Sequence, residues 1–163
     1  MYSLFKLVCE QAVEELLEGE GAHLPFDDLV AGWPVEQVGV RPAGAPHSGW
    51  EILEHMRIAQ WDILEFSRRA DHASPPFPKG YWPKGPTPPD PGAWERSIAA
   101  FRADLEAMQA RVRDPGADLF TPFPWGEGQT LLREALLVAD HNAYHLGQLA
   151  LLRRLLGLAP AGG

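Results

Sequence analysis

Apolar positions recur at three- and four-residue intervals in four stretches of the chain, and each stretch predicts an amphipathic helix. The first runs from about Leu4 to Gly19, with Leu4, Phe5, Leu7, Val8, Ala12, Val13, Leu16 and Leu17 as its apolar set and Gly19 and Gly21 as its stop. The second opens on Ser48-Gly49-Trp50-Glu51, the S-x-x-E pattern in which the hydroxyl and the carboxylate satisfy each other's free amides. Trp50, Leu53, Met56, Ile63 and Phe66 then give it an apolar face down to about Arg69. The third is expected to start at Asp90-Pro91, a capping residue followed by proline at the first helical position. Its apolar set Trp94, Ile98, Phe101, Leu105, Met108 and Val112 alternates steps of four and three up to the stop at Asp114-Pro115-Gly116. The fourth runs from about Thr130 to Leu156 and is closed by Gly157. Its segment from Leu131 to Ala139 is apolar nearly all round, as in a helix that is central or buried on two sides. No segment alternates as a strand does. Four helices of these lengths predict an all-α fold, a four-helix bundle forming one domain over residues 1–163.

The connections are long. One runs from His23 to His47, and another, at about 73–91, carries eight of the chain's 16 prolines. Each proline ring deletes a backbone donor and fixes φ, so this segment is an extended strap rather than a helix. Phe77, Tyr81 and Trp82 within it are expected to hold it against the body of the domain. A third connection is aromatic, with Phe120, Phe123 and Trp125.

Composition narrows the function classes. With 45% hydrophobic and 22% charged residues the chain resembles an ordinary globular domain and not a disordered one. Its net charge of -8 argues against a nucleic-acid partner, which needs basic side chains against phosphates. No apolar run approaches the roughly 20 residues that cross a bilayer, so no membrane partner is expected. The first residues lack the basic start and apolar stretch of a secretory signal, and one cysteine forms no internal disulfide. A cytoplasmic location is the expectation.

The chemistry lies in the histidines, six in number. His141 and His145, four residues apart, share one face of the fourth helix, at a separation that one metal ion bridges. His55 lies on the second helix, and in a bundle three inward imidazoles can meet. The ordinary alternative is a partly buried histidine bonded to a carbonyl. Burying two histidines on a helix otherwise rich in Leu, Val and Ala is costly unless both nitrogens of each ring find partners, and a metal satisfies one of each pair. Asp62, seven residues after His55, is a candidate base or orienting group, or else a structurally paired carboxylate. Tyr144 and Gln148, which flank His145 on the same helix, are further catalytic candidates, and Asp140 points away from His141 by about 100°, as a support rather than a ligand. Glu51 reads as a cap, His47 as a loop residue at the mouth, and Cys9 as a small buried apolar residue. Trp33, Trp82 and Trp125 form a substrate rim or pin the loops.

Asp140-His141-Asn142-Ala143-Tyr144-His145-Leu146-Gly147-Gln148, with Leu53-Glu54-His55-Met56 on the second helix, resembles the signature of the DinB-like (DinB/YfiT) superfamily. The resemblance extends over most of the chain, to the helix lengths and the closing Leu151-Leu152-Arg153-Arg154. It implies an up-down-down-up bundle, a homodimer, and a divalent metal, most often nickel or zinc, on His55, His141 and His145. Three nitrogen ligands leave a coordination position open, the pattern of a reactive site. The resemblance further implies a metal-dependent transferase or isomerase that uses a low-molecular-weight thiol to attack a small-molecule electrophile. A metal-activated-water hydrolase and a non-catalytic, metal-stabilised, stress-associated dimer are the alternatives.

Overall fold

The computed structural model describes residues 4–19 and 21–158. Four long helices carry the fold: α1 (Leu4–Glu18), α3 (Gly49–Arg68), α4 (Ala93–Arg113) and α5 (Leu131–Leu155), with a short α2 (Phe26–Val30) in the first connection. No strand occurs among the described residues. The bundle is held by α4 and α5, each of which packs against both α1 and α3. The N-terminal halves of α3 and α4 share one apolar cluster with the C-terminal half of α5, around Leu53, Met56, Phe101 and Leu149. The opposite halves meet in a second cluster around Leu64, Met108, Val112 and Val138, joined by Val13 and Leu17 of α1. α3 and α4 therefore run one way and α5 the other. α1 runs against α4, since Lys6 Nζ donates to the Ala117 carbonyl (2.6 Å), just past the end of α4, and Glu18 lies beside Leu105 in its middle. The order is up-down-down-up.

Local signals explain most helix ends. Ser48 Oγ accepts from the Glu51 amide (3.2 Å) and the Glu51 carboxylate accepts from the Ser48 amide (2.9 Å), which completes the capping box. Thr130 Oγ1 accepts from the Arg133 amide at the start of α5. At the other end Gly157, at φ 71°, closes α5: its amide donates to Arg154 and that of Leu158 to Arg153. Only a left-handed residue allows that pair of bonds.

Three expectations are corrected. α4 starts at Ala93, not at Asp90-Pro91, because Asp90 instead folds a turn, accepting the Gly92 amide on its side chain (2.9 Å) and the Ala93 amide on its carbonyl. The first connection is not a plain loop: after Pro25, α2 buries Phe26, Leu29 and Val30, and Phe26 stacks on Phe101 with ring centroids 4.1 Å apart. Along α1 only Val13 and Leu17 are buried, while Leu4, Phe5, Leu7, Val8 and Leu16 stay exposed. Its predicted apolar face is wider than the groove that receives it.

Between the two clusters lies a polar layer. Asn142 Nδ2 donates to Gln60 Oε1 (2.8 Å), and Gln60 Nε2 donates to the Phe101 carbonyl (2.7 Å), tying α5, α3 and α4 together at mid-height. The histidines of α3 and α5 sit at this level.

Candidate metal centre

The rise and twist of an α-helix place His141 and His145 one turn apart on the face of α5 that turns toward α3, and His55 comes from the facing turn of α3. Their ring centroids lie 4.9 Å (His55–His141), 4.7 Å (His55–His145) and 4.5 Å (His141–His145) apart. One ring nitrogen of each lies within 4.8 Å of the others, and Nε2 of His55 and His141 are 3.1 Å apart.

The outward nitrogens decide what the inward ones can do. His55 Nδ1 is 2.8 Å from the Tyr81 carbonyl oxygen, and His145 Nδ1 is 3.1 Å from Gln148 Oε1. Both partners are acceptors, so both Nδ1 atoms carry the proton and both Nε2 atoms present a bare lone pair. Burial, together with the neighbouring imidazoles, pushes the pKa of His141 and of His145 down to about 4, and burial also lowers that of His55. At neutral pH the three imidazoles are uncharged, and His55 and His145 turn bare lone pairs inward toward His141. A single shared proton relieves only one pair of them, whereas a divalent cation satisfies all three. The donor set fits such an ion, of the borderline-soft kind that imidazole prefers.

The strap holds the third ring. Trp82 lies flat on His55 (4.0 Å between centroids, 1° between planes) and carries His47 on its other face (4.1 Å). Tyr81 is pinned in turn: its hydroxyl donates to Asp62 Oδ2 (2.6 Å), while His72 Nε2 meets Asp62 Oδ1 at 2.7 Å. Burial and the adjacent carboxylate push the Tyr81 phenol up to about 12. Ser48 Oγ donates to the Pro86 carbonyl (2.6 Å) and fastens the strap to the start of α3. The chain thus spends its proline-rich segment on orienting one imidazole.

The other sequence candidates divide cleanly. Asp62 does not reach the three rings; both its oxygens are taken by Tyr81 and His72, and it acts on His55 only through the Tyr81 backbone. Gln148 orients His145, and Tyr144 stands edge-on to the same ring at 4.9 Å, exposed at the rim. Glu51 caps α3 and pairs with Arg41. Of the connection tryptophans only Trp82 is at the site: Trp33 is buried against Trp94, and Trp125 donates its indole N–H to the Phe66 carbonyl far from the histidines. Sequence reasoning missed the Tyr81 carbonyl and His72. The signal available was an aromatic pair, Tyr81-Trp82, set among prolines that fix the backbone.

A cavity of about 540 Å³ opens beside His145, between the C-terminal half of α5, the 43–47 loop, Ile52 of α3 and Trp82. Gln148, His47 and Tyr144 also stand on its wall.

The family model of the DinB superfamily matches residues 25–149, about three quarters of the chain. The chain belongs to the DinB superfamily. No curated protein and no solved structure matches it. The DinB-superfamily match spans α2, α3, the strap, α4 and most of α5, and so includes all three histidines. No helix among the described residues is long and apolar enough to cross a membrane.

Proposed function

We propose that this DinB-superfamily protein holds one divalent metal ion, nickel or zinc, on His55, His141 and His145 and works as a metal-dependent S-transferase on a low-molecular-weight thiol. The observation that carries this reading is the convergence of three neutral imidazoles, two with their outward nitrogens already engaged, beside a cavity whose wall includes His145. An ion bound by three nitrogens keeps an open position and acidifies a thiol or water placed there.

The protein supplies the rest. Gln148 and the Tyr81 carbonyl fix which nitrogen of His145 and His55 faces inward, and Trp82 covers His55 against water. Among the described residues no Asp or Glu lines the cavity to take a proton from water. A thiol, with an ordinary pKa about 8.5, loses its proton with far less help than water does. That difference favours thiol transfer over hydrolysis. A homodimer belongs to the same proposal: α1 leaves Leu4, Phe5, Leu7 and Val8 exposed, and sedimentation is expected to return twice the 18.0 kDa chain mass.

The test is conjugation of a model electrophile such as 1-chloro-2,4-dinitrobenzene by the metal-loaded protein in the presence of a panel of small thiols. Product is expected only with both metal and thiol, and the His145→Ala protein is expected to lose it. Turnover of an ester substrate without any thiol would replace this reading with hydrolysis.

A further inference from the structure

The cavity beside His145 is lined mostly by apolar side chains. Its size, about 540 Å³, is that of a small-molecule site. His145 and Gln148 stand on the side of the histidine centre and His47 stacks on Trp82; the remaining wall is mostly aliphatic or aromatic, with Ile52, Leu151 and Leu155 among its members and Tyr144 at its side. Among the described residues no Lys, Arg, Asp or Glu lines it. Gln148 Oε1 is engaged by His145, which leaves the Gln148 amide NH₂ as a donor for an occupant.

We propose that this cavity seats the uncharged, apolar body of the substrate, an alkyl chain or aryl ring, with its polar reacting end turned toward His145 and Gln148. The inference rests on the metal-centre reading above and names the class of molecule that centre acts upon. Three observations support it. The walls give an apolar body surface to bury, and each buried methylene is favourable. They offer no counter-charge, so a tail ending in carboxylate or phosphate would be stripped of water with nothing to pair with. Leu151 and Leu155 are each more than half exposed at the rim, apolar area that an occupant would cover.

The experiment is isothermal titration of the zinc-loaded protein with hydroxamic acids from acetyl to octanoyl, whose heads seek metal, beside suberic acid monohydroxamate, which carries a carboxylate at the far end. Affinity is expected to climb about three- to fourfold per methylene, and the terminal carboxylate to cancel most of that gain. In Leu151→Glu the octanoyl-to-acetyl ratio is expected to fall toward one. Leu136→Glu, on an exposed part of α5 outside the cavity, is expected to keep it. Metal-dependent acetohydroxamate binding with no rise along the series would overturn this inference and leave the metal centre standing. Acetohydroxamate binding that ignores metal would instead remove the metal centre. The neutral dye N-phenyl-1-naphthylamine, added to the protein as isolated, then decides on the cavity: saturable fluorescence lost in Leu151→Glu supports an apolar seat, and no binding overturns it.

Discussion

At the scale of single residues, the centre depends on protons placed away from it. His55 and His145 each donate Nδ1–H outward, to the Tyr81 carbonyl and to Gln148, and so keep Nε2 bare. Because the pKa values of His141 and His145 are depressed to about 4, while an unfolded histidine titrates near 6.5, the unfolded chain binds more protons between those values. Stability of the metal-free protein is therefore complete above about pH 6.5 and falls as pH drops toward about 4, where the folded rings charge as well. Urea midpoints at pH 7 and pH 5 check this; a midpoint unchanged between them contradicts it. Asp62 gives a second test. Asp62→Ala leaves the Tyr81 hydroxyl and His72 Nε2 without their acceptor, and is expected to cost about 2 kcal/mol in urea unfolding. The same change is expected to weaken metal binding by about tenfold through the slackened Tyr81 backbone, although Asp62 touches no metal-facing ring. His141 and His145 were legible from sequence because i, i+4 spacing on an apolar helix is a geometric statement, whereas His55 joined them through the resemblance of its segment to the DinB-like signature. The Tyr81 carbonyl was not, because a backbone acceptor has no residue type to announce it. Of the two sequence readings of Asp62 the structure shows the paired carboxylate, and its partners were not legible because the strap that supplies them arrives from residues 72 and 81.

At the scale of elements, the long helices follow from periodicity and their caps, and the exceptions have particular causes. α2 is five residues long, too short to show a period, and exists because Phe26, Leu29 and Val30 have a core to enter. The Asp90-Pro91 signal is real but is used one turn early, in the bend that precedes Ala93. Ser48 serves both α3 and the strap, so Ser48→Ala is expected to cost about 1–2 kcal/mol, more than half of it from the lost cap. Thermal melts read the stability, and Trp82 fluorescence, in a variant series lacking the other tryptophans, reads the loosening of the strap. An unchanged melting temperature would mean that the capping box is idle. Gly49 allows a second check. A Cβ there would stand 2.7 Å from the Trp33 ring, so Gly49→Ala is expected to destabilise the protein despite alanine's better helix propensity.

At the scale of the whole molecule, the bundle arranges two apolar clusters above and below a polar mid-layer, and it lets the proline-rich connection reach across α3 to the histidines. The proposed small-molecule substrate agrees with a net charge of -8, which offers a phosphate backbone little attraction. Assignment to the DinB superfamily accounts for the bundle; the chemistry rests on the three rings. The most direct test is elemental analysis of the untagged protein, purified without added metal, beside His55→Ala, His141→Ala and His145→Ala. The account predicts about one nickel or zinc per folded chain, lost in each variant while circular dichroism still reports the helices. Wild-type protein without stoichiometric metal, and unable to take it up on titration, would contradict the central claim.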